Sequence, residues 1–407
     1  MGETLFLAHR VPFPPDRGDK IRSHHLLRAL VKRGPVHVGT FGETETDLAQ
    51  KSALAALART HALIERKKPL ALAGAEAVLK RKSVSLTAFD DAAMHRYVAK
   101  TLGNHRIETI FVFSGQMAQY VPDSFTGRVI IDLCDVDSAK FEAYADAGRR
   151  VWLNRREGQL LAREEERIAA RADRVLLISQ HEVELFTSRL VDPGAPTCLA
   201  LGNGIDAQIF DPQTVARQQD LDEGEDPQLV FTGQMDYAPN VAAAQWLIDN
   251  VMPDLRRVYS RARLHVVGRA PVPALTRRHG ENGVRVWGEV PDVRPFLKSA
   301  DLVVAPLLIA RGVQNKVLEA MAMARPVVLT PGAATGIEAR DGCHFAIAPA
   351  DGAAMLARIT GLLGDPPRAE AMGQAARKFV IDEMSWESVE RALSEILACA
   401  GAPHDAP

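Results

Sequence analysis

Lys316 and Glu319 are the residues whose types and spacing most directly suggest chemistry in this chain. They stand three apart in NKVLEAMA. Both therefore share one helix face near its first turn, while Val317, Leu318 and Met321 turn toward a sheet. An ammonium there can neutralise a diphosphate, and a carboxylate can accept two hydrogen bonds from a ribose diol. The same spacing also suits an ordinary surface ion pair, with the glutamate complementing the helix dipole. A second group, Asp132, Asp135 and Asp137, closes the apolar run GRVIIDL. Asp-x-Asp can hold a divalent ion against a diphosphate, or Asp135 can cap the helix that follows. A third group lies in the loop RVPFPPDRGDK, where three prolines forbid regular structure and Gly18 frees the backbone. Asp19, Lys20 and Arg22 can there meet an acceptor or a phosphate. Asp19 can equally cap a helix, and Arg22 can face solvent.

The elements that must position these groups read as alternating strands and helices. Strands are expected at 4–9, 35–41, 107–113, 127–133, 173–178 and 196–202, with helices at 21–32, 46–60 and 140–171. The run from Asp301 to Thr330 reads as strand, loop, helix, strand. Strands separated by helices imply parallel, doubly wound sheets, whose ligands bind outside the strands' carboxyl ends. A helix start at that edge offers unpaired N–H groups to an anion. The same arrangement is expected where QLVFTG ends at Gly233 and a helix begins near Val241. Asn203-Gly204 reads as a turn with positive φ, and Asp206 as a partner for local backbone. The acidic, Pro- and Gly-bearing segment that follows is the natural linker. Domains are therefore expected at 1–212 and 227–384 with a linker at 213–226, and residues 385–407 returning to the first domain. The REEER run at 163–167 reads as a solvated face.

With 407 residues the chain has room for two cores. A net charge of −2, with 47% hydrophobic and 25% charged residues, gives no global attraction to nucleic acid. The amino terminus lacks the apolar run of a signal peptide, and no stretch approaches transmembrane length. Cys134, Cys198, Cys343 and Cys399 show no metal or redox spacing and read as small buried thiols of a reducing, cytoplasmic compartment. Between 59 and 82, seven bases stand against two acids with leucines and valines among them. That composition suits peripheral contact with the anionic inner face of the cytoplasmic membrane, or a plain solvated face.

The string GVQNKVLEAMA, together with VRVWGEVPDVRPFLKSADLVVAP and LGNGIDAQIF, resembles the retaining GT-B glycosyltransferases of family 4 (group 1). It looks closest to bacterial sugar transferases associated with exosortase (PEP-CTERM) and exopolysaccharide loci. The resemblance implies two Rossmann-like domains facing across a cleft, with a terminal helix crossing back to the first. It implies transfer of a sugar from a nucleotide-diphosphate donor, a co-substrate, to a hydroxyl of a saccharide or lipid-linked acceptor, with no cofactor and no metal. Asp-x-Asp is then not a metal site, and Asp135 falls on the acceptor side, where the family's histidine is replaced by Cys134. The donor would be held by Gly233, Gln234, Arg269, Arg311, Gly312, Gln314, Asn315, Lys316 and Glu319. The acceptor and phosphate loop would be Gly18, Asp19 and Lys20, and the residues closest to catalysis Asp135, Lys316 and Glu319. The chain departs from the pattern twice. Arg311 stands at the family's first glutamate, and Gln234 at an arginine with no lysine after it; Arg269 and Arg311 are the residues able to restore that charge. Two other classes share this fold: a sugar-nucleotide epimerase or hydrolase, and a non-catalytic subunit.

Overall fold

The computed structural model describes residues 2–146, 148–192, 197–221, 226–308 and 313–399. Internal contacts divide the chain into two units, one of 1–203 with 390–407 and one of 204–389. The first unit is built on β1 (Glu3–Ala8), β2 (Val36–Gly42), β3 (Thr60–Glu65), β4 (Ile107–Phe113), β5 (Arg128–Cys134), β6 (Arg174–Leu177) and β7 (Thr197–Ala200). Their order in the sheet is β3-β2-β1-β4-β5-β6-β7. The second is built on β8 (Gln228–Thr232), β9 (Arg263–Val267), β10 (Val284–Gly288), β11 (Leu302–Ala305), β12 (Val327–Leu329) and β13 (Ala346–Ile347), in the order β10-β9-β8-β11-β12-β13. All pairings are parallel. Each sheet thus winds outward in both directions from one central pair, β1/β4 and β8/β11, and at such a switch point the loops diverge and leave a crevice.

The apolar runs dictate this. In β8 and β11 every residue is buried, as expected of strands covered on both faces. The helix Asn315–Ala322 buries Val317, Leu318 and Met321 against the core of the second unit and leaves Lys316 and Glu319 off that face.

Several elements differ from the sequence reading. The strand Thr60–Glu65 lies where a helix and a basic stretch were expected. The single helix expected over 140–171 is two, Asp137–Asp146 and Val151–Arg171, separated by positive φ at Gly148 and Arg150. Gly204 does not take a positive φ; it is a glycine because a Cβ would lie 2.5 Å from the Trp386 nitrogen and 2.7 Å from the Ser385 carbonyl carbon. Asp206 does accept from Gln208 and Ile209 N–H. Residues 213–221 pack as part of the second unit: Leu221 is buried in its core, and Gln218 N–H donates to Ser299 Oγ at 2.8 Å. The Trp386–Cys399 helix carries Glu390, which accepts from Lys32 at 2.6 Å, and Leu397, whose carbonyl accepts from Arg128 at 2.7 Å. No helix among the described residues is long and apolar enough to cross a membrane.

Candidate functional site

In the second unit the loops at the switch point form a pocket of about 500 Å³, lined by Thr232, Gly233, Gln234, Tyr237, Asn240, Gly268, Arg269, Glu289, Val290, Gln314, Asn315, Lys316 and Glu319, among others. Its floor is two glycines in contact. Gly233 has φ +155° and Gly268 φ +151°, and a Cβ on Gly268 would fall 1.6 Å from the Gly233 carbonyl oxygen. A Cβ on Gly233 would come 3.0 Å from Lys316 Nζ, so the ammonium rests over bare backbone. The Asn315–Ala322 helix begins at Gln314 without a side-chain cap, and Gln314, Asn315 and Lys316 all line the pocket, so its positive end is presented there.

Lys316 donates to Asn240 Oδ1, and Asn240 Nδ2 donates to the Gln234 carbonyl at 2.9 Å. Nζ also lies 5.0 Å from the centroid of the Phe231 ring. Burial pushes the Lys316 pKa down to about 8, against the pull of Glu319. Burial likewise pushes Glu319 up to about 7, against the pull of Lys316. Arg269 donates to Gln234 Oε1 at 3.0 Å, so a guanidinium stands in this loop despite Gln234. Arg311 and Gly312 lie outside the described residues. The arrangement offers an anion a lysine, an arginine and a helix start, and offers a diol one carboxylate. Asn240 and Gly268 were not foreseen. Gly268 was readable only as the end of LHVVG, and nothing in the sequence marks Asn240 as a partner of Lys316.

In the first unit the three loop residues separate. Gly18 opens the Gly18–Arg33 helix, whose N-cap is Arg17. Asp19 receives Arg10 at 2.8 Å and lies 3.5 Å from His9 Nε2. Burial alone would raise its pKa, but His9 and Arg10 hold the carboxyl well below the usual range. Lys20 corrects the expectation that it meets acceptor or phosphate. Its ammonium is buried 2.6 Å from Asp47, which in turn accepts from Glu43 and Thr44 N–H. Arg22 is also not at the surface; Nε donates to the buried Asp132 at 2.9 Å, and its other nitrogens donate to the Leu201 and Gly202 carbonyls and Asn203 Oδ1.

Asp132 is therefore committed to Arg22 and does not converge with Asp135 and Asp137 as ligands. Asp135 is exposed, and it does not cap the Asp137–Asp146 helix: Val136 N–H goes to Glu182 and Ser138 N–H to Glu165. Glu165 corrects the reading of REEER as a solvated face. It is buried, receives Ser138 Oγ at 2.5 Å, and burial pushes its pKa up to about 7. Asp137 is raised by burial as well. His9, unmarked in the sequence, is buried at the carboxyl end of β1 with Nδ1 lacking a partner. Cys134 is turned by φ +65° and its thiol is pushed well up by burial. It stands beside Asp132, to which its N–H donates at 3.1 Å.

Of the seven bases at 59–82, five are ion-paired: Arg59 with Glu3, Arg66 with Glu43, Lys67 with Glu65, Lys68 with Glu76, and Lys80 with Glu76 and Asp90. Besides bases such as Arg81 and Lys82, the segment exposes apolar side chains. Leu70, Leu72, Val78 and Leu79 on the helix Leu70–Leu79 are exposed, Leu79 to 85%.

A search of curated proteins finds no significant sequence match. Among solved structures, the chain is similar to sucrose-phosphate synthase from Thermosynechococcus elongatus, with 17% identity, 98% of each chain covered and a TM-score of 0.62. It is similar to Anabaena HepE, solved in complex with UDP-glucose, with 15% identity, 98% of this chain and 100% of that chain covered and a TM-score of 0.62. It is also similar to a trehalose-6-phosphate protein from E. coli bound with UDP-2-fluoro glucose, with 12% identity, 98% and 99% covered and a TM-score of 0.62. At these identities the likeness is one of fold, the two parallel-sheet Rossmann-like domains of the GT-B type. The sequence match to a family is confined to the unit that carries the pocket: residues 226–365 match the family model of glycosyl transferases, group 1.

Proposed function

We propose that the chain is a glycosyltransferase that moves a sugar from a nucleoside-diphosphate donor to a hydroxyl of a saccharide or lipid-linked saccharide, with retention at the anomeric carbon, in the synthesis of an exopolysaccharide or other cell-surface glycan. The observation that carries this reading is the pocket at β8/β11, where Lys316, Arg269 and a helix start surround bare glycine backbone and Glu319 stands one helical turn deeper. Group 1 similarity over 226–365 supports it. Proteins of this fold solved with UDP-glucose and UDP-2-fluoro glucose make a uridine nucleotide the first donor to try.

In this reading Gly233 lets the diphosphate approach the backbone, Lys316 and Arg269 neutralise it, and the helix start at Asn315 donates to it. Glu319 accepts from the ribose hydroxyls. The bond from the anomeric carbon to the diphosphate oxygen breaks with its electron pair going to the diphosphate, and cations aimed at that developing charge supply most of the acceleration. The acceptor oxygen bonds to the same carbon. Retention without a protein nucleophile has it arrive on the face the diphosphate leaves, with the freed phosphate oxygen taking the hydroxyl proton. Asp135, exposed at the end of β5, is the acceptor contact in this proposal, with Asp19 after β1 at the same carboxyl edge of the sheet; Lys20 is excluded by its burial.

Calorimetry against UDP-, GDP-, TDP- and ADP-sugars tests the donor site, with wild type beside Lys316→Ala and Glu319→Ala. One nucleotide should bind, and either substitution should weaken it about 10- to 100-fold, the range for hydrogen bonds to charged groups. Binding of none of the four would leave a non-catalytic subunit, and donor turnover with no acceptor present would make the protein an epimerase or hydrolase.

The proposal includes a peripheral contact with an anionic membrane, supported by the apolar side chains of Leu70–Leu79 beside the exposed Arg81 and Lys82. Flotation with vesicles of anionic lipid should carry the protein, and Leu72→Asp with Leu79→Asp should release it; equal flotation of both would remove this part.

A further inference from the structure

We propose that Glu3, His37 and His105 form a binding site for one divalent transition-metal ion, zinc by ligand type, at the amino-terminal edge of the first sheet. The three come from separate segments: the first residue of β1, the second of β2, and the C-cap of the helix Ala92–Asn104 that leads into β4. Their ligand atoms lie within 4.8 Å of one another. Glu3 Oε2 is 2.9 Å from His37 Nε2 and 3.4 Å from His105 Nδ1. Ligands bound to tetrahedral zinc at ordinary bond lengths stand about 3.3 Å apart, so an ion fits with shifts of a few tenths of an ångström. Two imidazoles and a carboxylate, with a fourth position open, are a common zinc set.

The surroundings orient each ligand. His37 Nδ1 lies 2.8 Å from Thr60 Oγ1, which is 3.1 Å from the Tyr97 hydroxyl, and that hydroxyl donates to the Thr60 carbonyl at 3.1 Å. Assigning protons along this chain commits the Tyr97 proton to the carbonyl and the Thr60 proton to Tyr97, so Thr60 Oγ1 accepts from His37 Nδ1–H. In the neutral ring Nε2 then carries a lone pair aimed at a carboxylate oxygen. A cation between them resolves that opposition. Arg59 holds the other oxygen of Glu3, which fixes the carboxylate and leaves Oε2 to the ion. A hydrogen-bonded partner behind a ligating histidine is the usual second layer of a metal site. Glu3 and His105 each keep about a fifth of their side chain exposed, 18% and 23%, which gives an ion a way in. The strands' carboxyl edge, where the proposed transfer takes place, is at the other end of the sheet. The ion would tie β1, β2 and the start of β4 together rather than take part in the reaction.

The test uses the tag-free full chain, stripped with a chelator and titrated with Zn²⁺ against a chromogenic competitor, with Co²⁺ as a visible-spectrum probe. One ion per chain should bind, and Co²⁺ should give the intense visible bands of a four- or five-coordinate site. His105→Ala and, separately, Glu3→Gln should each lower affinity about 100-fold or more and remove the bands, while Thr60→Val should lower it about 10-fold through His37. His181→Ala, an exposed histidine elsewhere, should change nothing. Circular dichroism of each variant separates lost ligation from lost folding. Wild type without stoichiometric binding, or folded His105→Ala and Glu3→Gln variants that bind as wild type does, would overturn the proposal. No donor or acceptor enters the measurement, so it stands or fails apart from the reading of the second unit.

Discussion

If the proposed donor site is right, raising the pH from about 7 to 9 should change the binding of the nucleotide-sugar donor from a proton-releasing to a proton-consuming event. Burial leaves Lys316 with a pKa of about 8 and Glu319 with one of about 7 in the free protein. A diphosphate about 4 Å from Nζ contributes about 4 kcal/mol per unit charge at an effective dielectric of 20, or about three pH units, which restores the ammonium across the range. Ribose hydroxyls donating to Glu319 favour its ionised form. Combining the two titrations, binding should release about 0.4 proton at pH 7, take up about 0.4 at pH 8 and take up about 0.9 at pH 9. Affinity should therefore peak between about pH 7 and 8 and fall toward about tenfold per unit above it. Calorimetry in buffers of different ionisation enthalpy counts the protons directly. Lys316→Ala carries the same nucleotide chemistry and should lose the uptake, and Lys316→Arg, charged throughout, should lose it while keeping affinity at high pH. Equal uptake in wild type and Lys316→Ala would refute the placement of the diphosphate on this side chain.

Three further outcomes follow from other contacts. Arg22→Met leaves the Asp132 carboxylate buried and unpaired and should cost about 3–5 kcal/mol, read as a lowered unfolding midpoint, with Arg22→Met/Asp132→Asn losing less than the two single variants combined. Glu165 has its folded pKa raised above the unfolded value, so its contribution to stability is full below about pH 4.5 and is lost as pH rises through about 7. Urea unfolding at pH 5 and 7.5 should show wild type losing up to about 3 kcal/mol more than Glu165→Gln over that interval. Gly268→Ala forces the β9 loop off the Gly233 carbonyl and should abolish donor binding while far-ultraviolet circular dichroism stays unchanged; retained affinity would show that the two loops can part without harm to the site.

The parallel sheets and the donor helix were legible because their signals are local. β8 and β11 are short apolar runs, and NKVLEAMA carries its own period of buried and unburied positions. What escaped depends on partners far along the chain. Arg22 looks like any helix-surface arginine until Asp132, 110 residues on, is placed beneath it. Glu165 is one of five charges in a row, and only the position of Ser138 decides that this one is buried. The strand Thr60–Glu65 was hidden because its edge position leaves it only partly buried, so its apolar residues show no continuous run. The basic segment was legible in composition but not in its pairing: Lys67, Lys68 and Lys80 find Glu65 and Glu76 nearby, whereas Arg59, Arg66 and Lys80 also reach Glu3, Glu43 and Asp90 outside the segment.

The Val151–Arg171 helix lends carboxylates to helices that lie elsewhere. Glu157 receives the Val84 and Ser85 N–H groups of the four-residue helix Val84–Thr87, and Glu165 receives Ser138 at the start of Asp137–Asp146. A helix of one turn has almost no stability alone. Part of its support is thus written some seventy residues downstream, in the glutamate that accepts its first two N–H groups. During synthesis the segment around Val84 emerges before that partner, with only the Ser83 cap at hand. A nascent chain halted before Glu157 should therefore hold this turn as helix less than the full chain does.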